Sequence, residues 1–455
     1  MKRLLLALMM VLALVLPGST VYAAPQNLDS NAKVKNVIVM ISDGCGYNQI
    51  LATDYYQYGK AGTQVYEHFP TALAMSTYSA DGWGYDSAMA WSDFGYVTLE
   101  PTDSAAAATA MSTGFKTYDA AIGVDLNGAP LEHISQYAEE LGKSTGVITS
   151  VPLSHATPAG FVAHNVSRNN FAAIANEMIY QSAVDVVMGT GAPDYDNSGN
   201  PVNPAGREQY VGGAATWADL GDGSVIGADA DGDGDSDTWA LVRDRSAFQA
   251  LASGQTPARV IGIPRVYTTL QQARSGNGNA DPYVVPLTPS VPTLEEMTRA
   301  ALNVLDNDPD GFFLMVEGGA IDWAGHGRQS GRMIEEEIDF NRSVEAVLAW
   351  VQANSNWGET LVIVTGDHET GYLLGPGSDP DWKPIVNNGA GNLPGMGWFS
   401  NVPPVSANHT NSLVPFFAKG DVARLFKAYA DERDIVRGPY IDNIEIAHAI
   451  FGSLK

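Results

Sequence analysis

Five short stretches are apolar without polar alternation: 36–42 (NVIVMIS), 144–150 (STGVITS), 184–188 (VDVVM), 311–316 (GFFLMV) and 360–365 (TLVIVT). Runs of β-branched and aliphatic residues suit strands buried on both faces, so these five predict the centre of a covered sheet. Helical patterns fall between them at 131–141, 170–181, 293–306 and 332–353. Alternation of strand and helix implies an α/β fold: a three-layer sandwich with a mainly parallel central sheet and helices on both faces. Two stretches break the pattern. Residues 189–292 and 375–408 are rich in Gly, Pro, Asp and Asn, with few long periodic segments. We read both as loop-rich insertions within one domain, 24–455. No internal repeat is visible.

The first residues have a different pattern. Lys2 and Arg3 precede an apolar run over 4–16, Pro17 and Gly18 break it, and Val21-Tyr22-Ala23 places small residues at a cleavage position. This predicts a secretory signal peptide over 1–23. The run is short for a membrane-spanning helix of ~20 residues. No cysteine lies at the cleavage position and no later segment is apolar enough to span, so no membrane anchor is expected. The mature chain is expected in the periplasm or outside the cell.

Composition narrows the function. Of 455 residues, 51 are acidic and 25 basic, a net charge of −26. Such a chain is a poor partner for nucleic acid, which needs basic patches. It favours solubility and metal cations. The single cysteine excludes an internal disulfide framework and a zinc site of several thiolates.

The candidate chemistry lies just past the strands. Asp43-Gly44 follows the first, Glu317-Gly318-Gly319 the fourth, and Gly366-Asp367-His368 the fifth. In an open parallel sheet the carboxyl ends of the strands are where ligands bind. One acidic residue there is ordinarily a turn or cap; three such ends favour a built site. Asp322 and His326 are four apart and share a face on a helical turn. With His409 they form a two-histidine, one-carboxylate set that suits zinc and leaves an open position. In PTDSAAAATA (101–110) the alanine run predicts a helix capped by Asp103 or Ser104. Its first-turn amides and dipole suit phosphate. Alone, Ser104 reads as a cap; its other reading is a nucleophile.

Together these residues resemble the alkaline phosphatase family. The resemblance rests on VIVMISDG (37–44), PTDSAAAATA (101–110), HATPAGFVAHNVSR (155–168), FFLMVEGGAIDWAGH (312–326), VIVTGDHETG (362–371) and NHTN (408–411), in the family's order. It implies a phosphomonoesterase with two zinc ions and one magnesium. Asp322, His326 and His409 would bind the first zinc; Asp43, Asp367, His368 and the Ser104 oxygen the second. Asp43, Thr157 and Glu317 would bind magnesium, and Arg168 would clamp phosphate. Small phosphate monoesters would be the substrates and a homodimer the assembly. His155 stands where some relatives carry aspartate beside the third metal, which should weaken magnesium or shift the site toward zinc. We place it beside that metal, with direct ligation an alternative. Trp323 either walls the phosphate pocket or packs.

Three features stand outside that set. Asp229, Asp231, Asp233, Asp235 and Asp237 resemble the start of a calcium loop, with Gly234 at the turn position. Ala240 replaces the bidentate glutamate, so the match is partial. We read the loop as holding a structural calcium. Cys45 reads as a buried inert thiol, and its neighbours lack the sulfatase pattern. His68, His133, His164 and His448 read as surface or core residues. The competing functions are a phosphodiesterase of the same superfamily, which Arg168 disfavours by claiming the non-bridging oxygens, and a calcium-dependent binding protein on an inactive fold. The intact Ser104, Arg168 and ligand set disfavours the latter.

Overall fold

The structure is a computed structural model that describes residues 33–230, 234, 236–400 and 408–455. The expected signal peptide and Asp231, Asp233 and Asp235 lie outside the described residues. In chain order the strands are β1 (Asn36–Ser42), β2 (Thr71–Ser76), β3 (Ser144–Pro152), β4 (Val186–Thr190), β5 (Ala240–Val242), β6 (Val260–Gly262), β7 (Phe312–Gly318) and β8 (Thr360–Thr365). Then come β9 (Glu369–Thr370), β10 (Leu373–Leu374), β11 (Gly397–Trp398), β12 (His409–Thr410), β13 (Val414–Lys419), β14 (Glu432–Asp434) and β15 (Gly438–Asp442).

Eleven strands form one sheet in the order β14-β15-β2-β13-β8-β1-β7-β3-β4-β6-β5. From β8 through β5 all neighbours are parallel; β13 is antiparallel to both β8 and β2. Within β1 the side chains alternate between two cores. Val37, Val39 and Ile41 join Phe313, Met315 and Ile363 on one face. Ile38 and Met40 join Leu314, Val316 and Val364 on the other. This period of two explains why the run is apolar throughout, since each face is covered by helices.

All five predicted strands are present, and so are the four helices, at Ile134–Glu140, Phe171–Tyr180, Leu294–Leu305 and Ser330–Asn354. The segment 189–292 does more than loop over the surface. It supplies β5 and β6, which extend the parallel sheet beyond β4. At three residues each, these strands are too short to leave a run that stands out in sequence.

Candidate active site

Register brings the strand ends together. Ile41 of β1 lies opposite Glu317 of β7 and Thr365 of β8, and Thr149 of β3 lies opposite Glu317. Asp43, Glu317 and Asp367 therefore leave three adjacent strands at one edge. Gly44 turns the chain there with φ +72°. A Cβ at that position would sit 2.8 Å from the Asp322 Cα, so only glycine fits both the conformation and the space.

Two clusters of metal-type ligands stand at this edge, Asp43-Asp367-His368 and Asp322-His326-His409, with the ligand atoms of each within 4.8 Å of one another. The first is fully buried. His368 Nε2 lies 3.6 Å from Asp43 Oδ1 and 3.4 Å from Asp367 Oδ2. Asp367 Oδ1 is fixed by the amides of Gly44 (3.0 Å) and His368 (2.9 Å). Ser104 begins the helix Ser104–Thr113, whose cap Asp103 accepts from the Ala106 amide. Its Oγ lies 3.2 Å from His368 Nε2. The hydroxyl thus shares the space of the buried cluster at a helix N-terminus.

The second cluster stands at the rim. Asp322 and His326 occupy the short helix Ala320–His326. Pairing of β12 with β9 puts His409 opposite Thr370 and stacks its ring on His368, with centroids 3.6 Å apart. His409 Nδ1 donates to the Thr102 carbonyl at 2.9 Å, which leaves Nε2 with its lone pair toward the site. The Nε2 atoms of His326 and His409 face each other at 3.0 Å. Thr370 donates to Asp322 Oδ1.

The buried oxygens test whether cations fit. Both carboxylate oxygens of Asp43, Asp367 Oδ2, Glu317 Oε1 and Thr157 Oγ1 are buried without a hydrogen-bond partner, as is His155 Nδ1. Leaving such groups unpaired costs on the order of several kcal/mol each, unless a cation takes them up. Without a cation, burial pushes the Asp43 carboxyl well above its ordinary range, and Asp367, Asp322 and Glu317 push it further. Burial raises Glu317 and takes Asp367 to about 7. Burial alone would raise Asp322 too, but His326, His409 and His368 around it hold it below the ordinary carboxylate range. Burial, aided by Arg168, lowers His155 to about 3, which keeps the ring neutral. These residues fit a metal centre of at least two ions.

Above the clusters opens a cavity of ≈ 490 Å³ whose wall includes Ser104, His155, Arg168, Trp323, His326 and His409. Arg168 is held by Asp103 through an Nη1–Oδ2 contact of 2.8 Å. Trp323 meets the His155 ring edge-on, with centroids 5.4 Å apart. Thr157 lies in the turn Ala156–Ala159, its hydroxyl buried. Sequence reasoning missed Thr149, which donates to Glu317, and Thr370. Thr370 sits two residues after His368 in a recognised stretch, whereas Thr149 carries no local signal. It also missed Gln272 and Asn408 on the cavity wall.

The remaining candidates lie elsewhere. Asp229 accepts from the Gly234 amide and Asp237 from the Ala230 amide, so both described aspartates of the acidic loop brace its turns. Cys45 is buried, and burial raises its thiol pKa. The rings of His133 and His164 meet at a tilt of 36° with centroids 4.4 Å apart, outside both clusters.

Comparison with known proteins agrees with this geometry. The family model for alkaline phosphatase matches residues 34–393. Alkaline phosphatase 3 of Bacillus subtilis is 30% identical, over 89% of this chain and 72% of that protein. The structure of alkaline phosphatase from the Antarctic bacterium TAB5 matches with a TM-score of 0.61 at 28% identity, over 92% of this chain and 97% of that one. A variant of the TAB5 protein with a histidine changed to aspartate holds magnesium in its M3 site; it matches at 27% identity and a TM-score of 0.61, over the same shares. The chain belongs to the alkaline phosphatase family and is a phosphomonoesterase.

Proposed function

We propose that the enzyme hydrolyses phosphate monoesters in two steps through a phosphoserine at Ser104. The observation that carries this is the Ser104 hydroxyl at a helix N-terminus, 3.2 Å from His368 Nε2, in the cavity that Arg168 also lines. Asp322, His326 and His409 would hold one zinc, Asp43, Asp367 and His368 with the Ser104 oxygen a second, and Asp43, Thr157 and Glu317 a magnesium. When bound, such ions polarise phosphoryl oxygens and lower the pKa of a coordinated hydroxyl or water.

The protein's own groups do the rest. Ser104 Oγ attacks phosphorus, and the bond to the ester oxygen breaks. Arg168, oriented by Asp103, grips two non-bridging oxygens with its planar fork. The first-turn amides of the helix Ser104–Thr113 favour the charge on the transferring group. The rim cluster faces the leaving alcohol and later the water that releases phosphate. The contact of His409 Nδ1 with the Thr102 carbonyl fixes the tautomer whose Nε2 would be free to ligate zinc.

His155 replaces a carboxylate with a neutral ring at the third site. His155→Asp is expected to tighten magnesium binding, measured by magnesium activation of the zinc-loaded enzyme. We further read the chain as secreted after signal cleavage and as a homodimer. The central test is turnover of an aryl phosphate at alkaline pH, with chelation, zinc return and Ser104→Ala. Loss on chelation, recovery with zinc and a phosphoserine trapped at Ser104 by mass spectrometry are expected. A zinc-loaded protein without monoesterase activity would overturn the reading.

A further inference from the structure

A second cavity, of ≈ 330 Å³, shares no wall residue with the one that holds Ser104. It lies between two small hydrophobic clusters that are separate from the two cores of the sheet. Val97 and Leu374 of one and Leu413 of the other are buried on its wall. Four partly exposed rings, Tyr47, Tyr85, Trp91 and Trp382, complete the apolar lining. This size and this lining are those of a small-molecule site.

The walls are held in place. Asp434 accepts from Tyr85 Oη at 2.9 Å and from Trp91 Nε1 at 2.9 Å, and Trp382 Nε1 donates to Tyr372 Oη at 2.6 Å. Asp434 also accepts from Ser87 and from the Val436 and Arg437 amides, so its charge is taken up within the wall. Glu369, the acid on the cavity wall, is buried and accepts from Gln49, Thr410 and the amides of Tyr372 and Leu373. Neither carboxylate is left for a ligand.

Two cations are. Arg437 and Lys383 line the cavity and are exposed, and neither forms a salt bridge among the described residues. The Arg437 guanidinium carbon sits 3.8 Å from the centroid of the Tyr47 ring. A guanidinium placed over an aromatic ring keeps its fork of N–H donors for a planar anion. In a chain of net charge −26, two such cations beside an apolar cavity reverse the local sign.

We propose that this cavity is a second, non-catalytic site for a small organic anion with a flat apolar body, of the aryl carboxylate class. The ring system lies against Tyr85, Trp91 and Trp382, the carboxylate meets Arg437, and Lys383 adds its charge from the rim.

The test is calorimetric titration of the zinc-loaded enzyme with 2-naphthoate and with the neutral 2-naphthamide. The acid should bind at one site per chain, about tenfold or more tighter than the amide, the worth of a charge-assisted hydrogen bond. Arg437→Gln should weaken the acid by about tenfold and the amide by less than about threefold. Lys383→Gln, at the exposed rim, should weaken the acid by about two- to fivefold. Arg168→Gln removes the anion clamp of the other cavity and should leave 2-naphthoate binding within about twofold. Loss with Arg168→Gln and none with Arg437→Gln puts the ligand in the catalytic cavity and overturns the proposal. Equal losses in those two variants, equal affinity for acid and amide, or no binding to the native enzyme also overturn it. Should Arg437→Gln fail to fold, Lys383→Gln set against Arg168→Gln gives the same decision.

Discussion

The two ligand clusters use the same residue types in opposite settings. Asp43, Asp367 and His368 are wholly buried, whereas in the other cluster only Asp322 is; the His326 side chain is 35% exposed on the cavity wall and that of His409 12%. The buried cluster follows rigid strands and gathers oxygens without hydrogen-bond partners. The rim cluster sits on a seven-residue helix and a two-residue strand. Depth thus divides the work. The buried side raises carboxylate pKa values, holds oxygens that a cation would satisfy and lies beside Ser104, the proposed nucleophile. The rim side lines the cavity, where the proposed mechanism has the alcohol depart.

The largest expected effect probes the buried side. Ser104→Ala should lower kcat by about 10³-fold or more, measured on an aryl phosphate, while the rim ligands keep their metal. A comparable loss without any change in phosphoenzyme formation would break the division of roles.

Next comes the pH dependence of the chelated protein. Asp367 has a folded pKa of about 7 against a reference value of 3.8. The folded chain keeps a proton that the unfolded chain releases between those values. Its contribution to stability is fully present below 3.8 and is lost as pH rises toward 7, on the order of several kcal/mol. Denaturant melts of the chelated enzyme should weaken over that window, and Asp367→Asn should flatten the trend. Asp322 has the opposite sign, because its folded pKa is lowered. Its contribution is present above the unfolded carboxylate pKa and lost as pH falls through the folded one.

Gly44→Ala joins the two regions, because the added methyl meets Asp322 while the backbone stays at φ +72°. We expect about 2 kcal/mol of lost stability together with weaker rim metal binding, from thermal melts and zinc titration. The smallest effect is kinetic. Dilute chelator should remove metal in two phases, the rim ion leaving first, followed by metal analysis against residual activity. A single phase would show the clusters to be equally accessible.

Much of this was legible along the chain. Runs such as NVIVMIS betray burial on both faces, and a carboxylate just past three of the five runs marks the edge where ligands gather. Asp322 and His326 could be paired by helical spacing. His409 could not be placed by spacing: it reaches His368 through a two-residue ladder between β12 and β9, whose strength lies in register rather than composition. Strands β5 and β6 escaped for the same reason, three residues being too few to make a period visible. Thr149 and Gln272 were silent because an isolated threonine or glutamine looks the same whether it faces water or a carboxylate.

The sequence by itself determined the five central strands of the sheet, their order along the chain and the acidic and imidazole groups available at their ends. It could do so because burial and short-range spacing are local properties. Tertiary structure alone decided which cluster lies deep and which at the rim. It also decided which oxygens are stripped of hydrogen-bond partners, and that a loop-rich segment reaches back to wall the cavity with Gln272. Those outcomes depend on desolvation and on contacts between residues tens or hundreds of positions apart, which no local pattern records.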